Sequence, residues 1–290
     1  MTTSDGVEIA VHDLGGAGEP LLLVHGTGFH AMTWLPVAQY LRDHFTCWAV
    51  DLRGHGDSER PPGISDWLGF GRDVLAAVDG LGLQGALGVG HSMGSASLLL
   101  AEQAVPGTFR SLYLYEPAMA DPRVNMGDGS KMAAEGALRR REVFASREAA
   151  RLHYASKAPM DTFAPESLAA YVNYGFADLD DGTVRLKCRA TTESEVFHGF
   201  PNPHVYEHLG HVHCPVTLVD GELSVAARVS RGNDFAARIP DARVIALPGL
   251  DHFGPMQRPD VLAASIIETF TGSRPAIDVG DDQPAGRECA

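Results

Sequence analysis

Gly90-His91-Ser92-Met93-Gly94 stands between two apolar runs. Ala86-Leu87-Gly88-Val89 before it reads as the end of a buried strand, and Ser95-Ala96-Ser97-Leu98-Leu99-Leu100-Ala101 after it as a helix with a small face. A serine with glycine two residues away on each side, at a strand-to-helix turn, fits a sharp elbow. Such a turn has no room for bulky flanks, and it lifts the serine hydroxyl clear of the sheet edge. A tight glycine turn with a structural serine is the plain alternative. Deciding between them requires a base, a carboxylate and paired N–H donors elsewhere in the chain.

Working outward, Leu21-Leu22-Leu23-Val24 is a continuous apolar run ending in His25-Gly26-Thr27-Gly28, which predicts a buried strand entering a turn. Val7 to His12 alternates like another strand. Helical spacing over Thr33 to Asp43 precedes a strand from Thr46 to Val50, which ends at Asp51-Leu52-Arg53-Gly54-His55-Gly56-Asp57-Ser58. Trp67 to Leu81 again has helical spacing. After the elbow, Leu112-Tyr113-Leu114-Tyr115 runs into Glu116-Pro117. Strands alternating with helices imply a largely parallel sheet.

The alternation stops between about Ala118 and His213, where charge and aromatics rise and helices are predicted, the clearest over Met132 to Phe144 and Pro165 to Tyr174. It resumes with Val216 to Val219, a helix over Ala226 to Arg238, the strand Arg243 to Leu247 and a helix over Pro259 to Phe270. The expected organisation is an α/β core over 1–117 and 214–272, a helical cap over 118–213 and a disordered tail over 273–290.

The chain of 290 residues has a net charge of −14, with 37 acidic against 23 basic residues. An acidic surface disfavours nucleic acid and anionic membrane as partners. No apolar run approaches the ~20 residues of a membrane span. The first six residues lack a signal-peptide pattern, and the cysteines at 47, 188, 214 and 289 show neither disulfide nor metal spacing. A cytoplasmic location, a small-molecule substrate and no cofactor or metal are expected, with a homodimer left open.

A base for Ser92 is needed because a free hydroxyl is a poor nucleophile near neutral pH. Among thirteen histidines, His252 is favoured by its place in Pro248-Gly249-Leu250-Asp251-His252, after the last strand. Together with His25-Gly26-Thr27-Gly28, the Asp51 to Ser58 segment and the elbow, this makes four motifs in order. On these motifs the chain resembles the α/β-hydrolases of the esterase, lactonase and C–C hydrolase group, over residues 7 to 272. The resemblance implies a mostly parallel, doubly wound sheet of the eight-stranded type with a helical cap after the sixth strand. It implies an oxyanion hole made by the Thr27 and Met93 N–H groups. It also implies a third triad member, for which most relatives use an aspartate in a Gly-Glu-x-Asp context.

This chain reads Asp220-Gly221-Glu222-Leu223-Ser224 there, and a serine cannot stabilise an imidazolium as a carboxylate does. Some relatives take the acid from the end of the sixth strand, where this chain has Glu116. Glu116 is therefore the expected acid, with Glu222 and Asp220 as alternatives. Asp251 ranks low because neighbouring side chains diverge. The expected activity is hydrolysis of a carboxylic ester, or a related acyl bond, of a small and largely apolar substrate through an acyl-enzyme. Lactone or C–C hydrolysis on the same groups, and an inactive binding scaffold, are the alternatives. A serine nucleophile argues against dehalogenase chemistry, which needs a carboxylate.

Plainer readings apply elsewhere. Arg53, His55 and Asp57 are expected to organise a loop, and His91 to pack beside the elbow. His204, His208, His211, His213 and Cys214 crowd together without a defensible zinc pattern. Arg139-Arg140-Arg141 reads as a solvated helix face, with anion binding the minority reading. The aromatics at 144, 154, 163, 171, 174, 176, 197 and 200 serve either a pocket or the cap's own core. Gly88 to Gly94 also fits a nicotinamide-style glycine loop, but such loops belong to the first strand-helix unit.

Overall fold

The computed structural model describes residues 1–124, 127–225 and 232–273. Seven strands form the main sheet among them: β1 (Val11–Gly15), β2 (Glu19–Val24), β3 (Phe45–Val50), β4 (Ala86–His91), β5 (Phe109–Tyr115), β9 (Val216–Gly221) and β10 (Ala242–Leu247). Their order is β1-β3-β2-β4-β5-β9-β10, and only β1 runs antiparallel to its neighbour.

The central strands carry continuous apolar runs, Leu21 to Val24 the clearest, because both faces of the sheet are covered there. With a side-chain period of two, Leu22 and Val24 pack on one face with α2 (Leu68–Leu81) and α3 (Met93–Ala104). Leu21 and Leu23 pack on the other with α1 (Leu35–Leu41) and the C-terminal helix Pro259–Thr271. All four of these residues are fully buried.

Among the described residues the sheet has seven strands rather than eight. Residues 8–10 spend their backbone groups elsewhere: the Glu8 and Ala10 N–H groups donate to the Glu59 carboxylate and Ser58 hydroxyl, and Ile9 N–H to the Met1 carbonyl. The strand predicted over Val7 to His12 therefore begins only at Val11, with an isolated Thr2–Glu8 bridge before it. The insertion accordingly follows the fifth described strand, not the sixth.

Between β5 and β9 lie α4 (Gly129–Leu138), α5 (Arg147–Ala155), α6 (Pro165–Gly175), α7 (Ala190–His198) and α8 (Pro203–Glu207). They are joined by a small antiparallel sheet in the order β6-β8-β7, made of Val143–Phe144, Val184–Leu186 and Phe176–Asp178. That sheet was not foreseen. The helix predicted over Met132 to Phe144 instead spans Gly129–Leu138, because Val143 and Phe144 leave it to pair with Arg185 and Val184. Phe144, Phe163, Tyr171 and Phe176 form the insertion's own core, which takes in Phe29 and Met256 from the sheet domain. The helix predicted over Ala226 to Arg238 lies partly outside the described residues and is seen as Gly232–Ala236; the predicted tail lies outside them from 274 onward. Among the described residues no helix is long and apolar enough to cross a membrane.

Candidate active site

Ser92 sits between β4 and α3 with φ 52° and ψ −115°, a conformation that costs a non-glycine residue energy. Its N–H donates to the Tyr115 carbonyl at 2.9 Å, and its own carbonyl accepts from Ala96 and Ala118. The flanking glycines are steric requirements. A Cβ on Gly90 would lie 2.6 Å from Ser95 Cα, and one on Gly94 would lie 2.1 Å from the Val24 carbonyl oxygen. Met93 is the first residue of α3, so its N–H has no intrahelical acceptor. Thr27, on the turn after β2, meets it: the Thr27 hydroxyl donates to Met93 Sδ at 3.4 Å. The two backbone N–H groups expected to act together thus belong to touching residues.

His252 Nδ1–H donates to Glu116 Oε2 at 2.7 Å, which leaves Nε2 as the basic nitrogen of a neutral ring. Glu116 is buried at the end of β5 and has φ 42°. Its carboxylate also accepts from Gly221 N–H at 2.9 Å and from the Ser224 hydroxyl at 2.7 Å. The serine standing where an aspartate was expected thus serves the carboxylate that replaces it. Glu222 is exposed and accepts from Gly249 N–H, while Asp251 folds back on Phe253 N–H. Asp220 is half-buried, its carboxyl pushed up to about 6 by burial and by Glu116. The Tyr115 hydroxyl donates to the Asp251 carbonyl at 2.6 Å and so anchors the loop carrying His252. Sequence reasoning missed Ser224 and Tyr115 as supports, although Ser224 was visible as the departure that needed a reason.

Ser92, His252, Thr27 and Phe29 line a cavity of about 720 Å³ whose remaining wall comes largely from the insertion. Arg139, Arg140 and Arg141 all line it; Arg139 and Arg141 are exposed, as a solvated face would be, while Arg140 is half-buried. They lie just beyond the end of α4, and Arg140 is drawn inward by Glu193, Tyr171 and Tyr154. Of the eight cap aromatics, Tyr154 and Phe197 line the cavity. Phe200 packs against Trp67, and Tyr174 is exposed.

His91 packs beside the elbow, where its Nε2–H donates to the His252 carbonyl at 2.8 Å. Burial, and then the nearby His252, hold its ring well below the ordinary histidine range. Arg53 is bonded to Asp73 and Asp5, His55 Nδ1–H donates to the Arg53 carbonyl, and Asp57 is paired with Lys187. These are loop-forming bonds. His204 and His208 stack at 4.0 Å. Among the described residues, the group close enough to share an ion is instead His12, Asp51 and Asp57. The Asp51 oxygens there already accept from Ala31 N–H, Asp57 N–H and His12.

A serine in a strained elbow and the histidine of a histidine–glutamate pair line one cavity at the carboxyl ends of parallel strands, the edge where open α/β sheets bind ligands. Residues 21–265 match the alpha/beta hydrolase family, and the chain belongs to it. It is 24% identical over 260 residues to 2-(acetamidomethylene)succinate hydrolase of Mesorhizobium japonicum, covering 87% of each chain. It is 27% identical over 280 residues to haloalkane dehalogenase 2 of Mycobacterium tuberculosis, covering 88% of this chain and 89% of that one. The crystal structure of E-2-(acetamidomethylene)succinate hydrolase superposes with a TM-score of 0.77 at 23% identity, over 92% of this chain and 96% of the other.

Proposed function

We propose that the protein is a serine hydrolase that cleaves a carboxylic ester, or a related acyl bond, of a small molecule through an acyl-enzyme. The observation that carries this reading is the 2.7 Å bond between His252 Nδ1 and Glu116, with Ser92 on the same cavity. The Ser92 hydroxyl attacks the acyl carbon while His252 Nε2 takes its proton. The carbonyl oxygen becomes an oxyanion facing the Thr27 and Met93 N–H groups, each typically worth ~3 kcal/mol of transition-state stabilisation. The imidazolium, held by Glu116, then returns the proton to the leaving oxygen as the carbon–oxygen bond breaks. Water, deprotonated by the same nitrogen, releases the acid and restores Ser92.

Lactone and C–C hydrolysis would use the same groups, and an ester, lactone and diketone panel separates them. Dehalogenation as named for the Mycobacterium tuberculosis relative does not suit a serine nucleophile. Three buried thiols, Cys47, Cys188 and Cys214, fit a reducing cytoplasm. The direct test is labelling by a fluorophosphonate with mass spectrometry of the peptides. One adduct at Ser92, lost in Ser92→Ala together with turnover of aryl esters, is the expected result. An unlabelled Ser92 in folded protein would instead make the chain a non-catalytic binding scaffold.

A further inference from the structure

The chain is acidic overall, yet the wall that the insertion gives to the cavity is basic. Arg139, Arg140, Arg141 and Lys157 line it, and among the described residues Glu193 is the one carboxylate beside them. Four cations against one anion leave three positive charges unmatched. Arg140 is the matched one, since Glu193 and the Tyr171 hydroxyl accept from its guanidinium. Among the described residues neither Arg139, Arg141 nor Lys157 is paired with a carboxylate. Arg141 is oriented without being neutralised: its guanidinium lies 4.5 Å over the Phe144 ring, and Nε–H donates to the Val143 carbonyl at 2.9 Å. Lys157 is one of only three lysines in the chain. Unmatched cations along one wall of a cleft focus a positive potential into it and attract an anion.

Resting on the acyl-transfer reading above, we infer that the substrate is an anionic ester: a half-ester of a dicarboxylic acid or a compound of that chemistry. Its free carboxylate is held by Arg139, Arg141 and Lys157 while its acyl carbon meets Ser92. Guanidinium groups take carboxylates through paired, charge-assisted hydrogen bonds.

The test compares monoethyl glutarate with diethyl glutarate, which share the scissile ester and differ by one charge. The wild-type protein is expected to favour the half-ester in kcat/KM by at least about tenfold, the value of one good charge-assisted contact. That preference should shrink as salt is raised, and glutarate should inhibit diester hydrolysis competitively. Arg139, Arg141 and Lys157 are exposed, so Arg139→Gln, Arg141→Gln and Lys157→Gln are compatible with folding. The triple variant should lose the half-ester preference. Equal use of both esters by the wild type, or an unchanged ratio in the triple variant, overturns the inference. If Ser92 takes the fluorophosphonate and the diester is cleaved without half-ester preference, only this inference falls. If Ser92 is not labelled, the acyl-transfer reading falls with it.

Discussion

Glu116 accepts hydrogen bonds from Gly221, Ser224 and His252, and all three partners lie more than a hundred residues away in the chain. Two of those donors hold the carboxylate in place; the third is the imidazole it orients. Among the described residues, Ser92 and Glu116 are the two non-glycine residues with positive φ, so backbone strain is concentrated at the two ends of the proposed relay. Ser224→Asp would set a second carboxylate against Glu116 Oε2 in a buried pocket, where like charges disfavour joint ionisation. Ester turnover should fall about a hundredfold in that variant, and by about a thousandfold in Glu116→Gln, which leaves the imidazolium unmatched. Combined, the two changes restore one carboxylate to the pocket, and the double variant should exceed Glu116→Gln in kcat. Additive losses in that cycle would show that Ser224 and Glu116 do not act on the same imidazole.

Each turn at the sheet edge carries a local signal, which is why β2, β4 and the elbow were readable from sequence. The glycines at 90 and 94 are demanded by atoms of the same strand-turn-helix unit or of the strand alongside. Gly94→Ala is therefore a test of the element rather than of the chemistry. Its Cβ would meet backbone at 2.1 Å, a contact that no rotamer relieves. A loss of at least ~3 kcal/mol in urea unfolding is expected, an overpacking cost at the upper end of the usual range. A destabilisation under ~1 kcal/mol would mean that β2 can yield, against the rigid elbow argued above. The insertion was less legible for a physical reason. Its strands are two or three residues long, and its defining ion pair joins Arg140 to Glu193 across 53 residues. A run of three arginines in an acidic chain was the one local signal of the basic wall, and helix periodicity disguised it.

Over the whole molecule, stability is tied to pH through histidines that fold neutral. His25 is pushed down to about 3, by burial first and then by His55; burial also lowers His30, His55 and His91. At His25 one ring bond also requires the neutral form: Nδ1–H donates to the Gly26 carbonyl, while Nε2 accepts from Leu52 N–H. A histidine whose folded pKa is depressed binds fewer protons folded than unfolded. Its contribution is therefore intact above 6.5, the unfolded value, and is lost as pH falls toward the folded one. Asp220, raised to about 6, takes up a proton on folding within the same window and offsets part of one histidine. His12 is raised by its hydrogen bond to Asp51, so its contribution is complete below 6.5 and declines as pH climbs through the raised value. Stability should accordingly peak near pH 6.5 to 7 and fall on the acid side, by up to ~1.4 kcal/mol per pH unit for each unmatched histidine. Urea midpoints measured from pH 8 to pH 4 read this directly. His55→Asn is the sharper arm, because an amide can keep the donor to the Arg53 carbonyl while removing Nε2, which is buried without a hydrogen-bond partner. The acid slope of that variant should drop by one histidine's share, and a slope identical to wild type would place the acid sensitivity in the carboxylates instead.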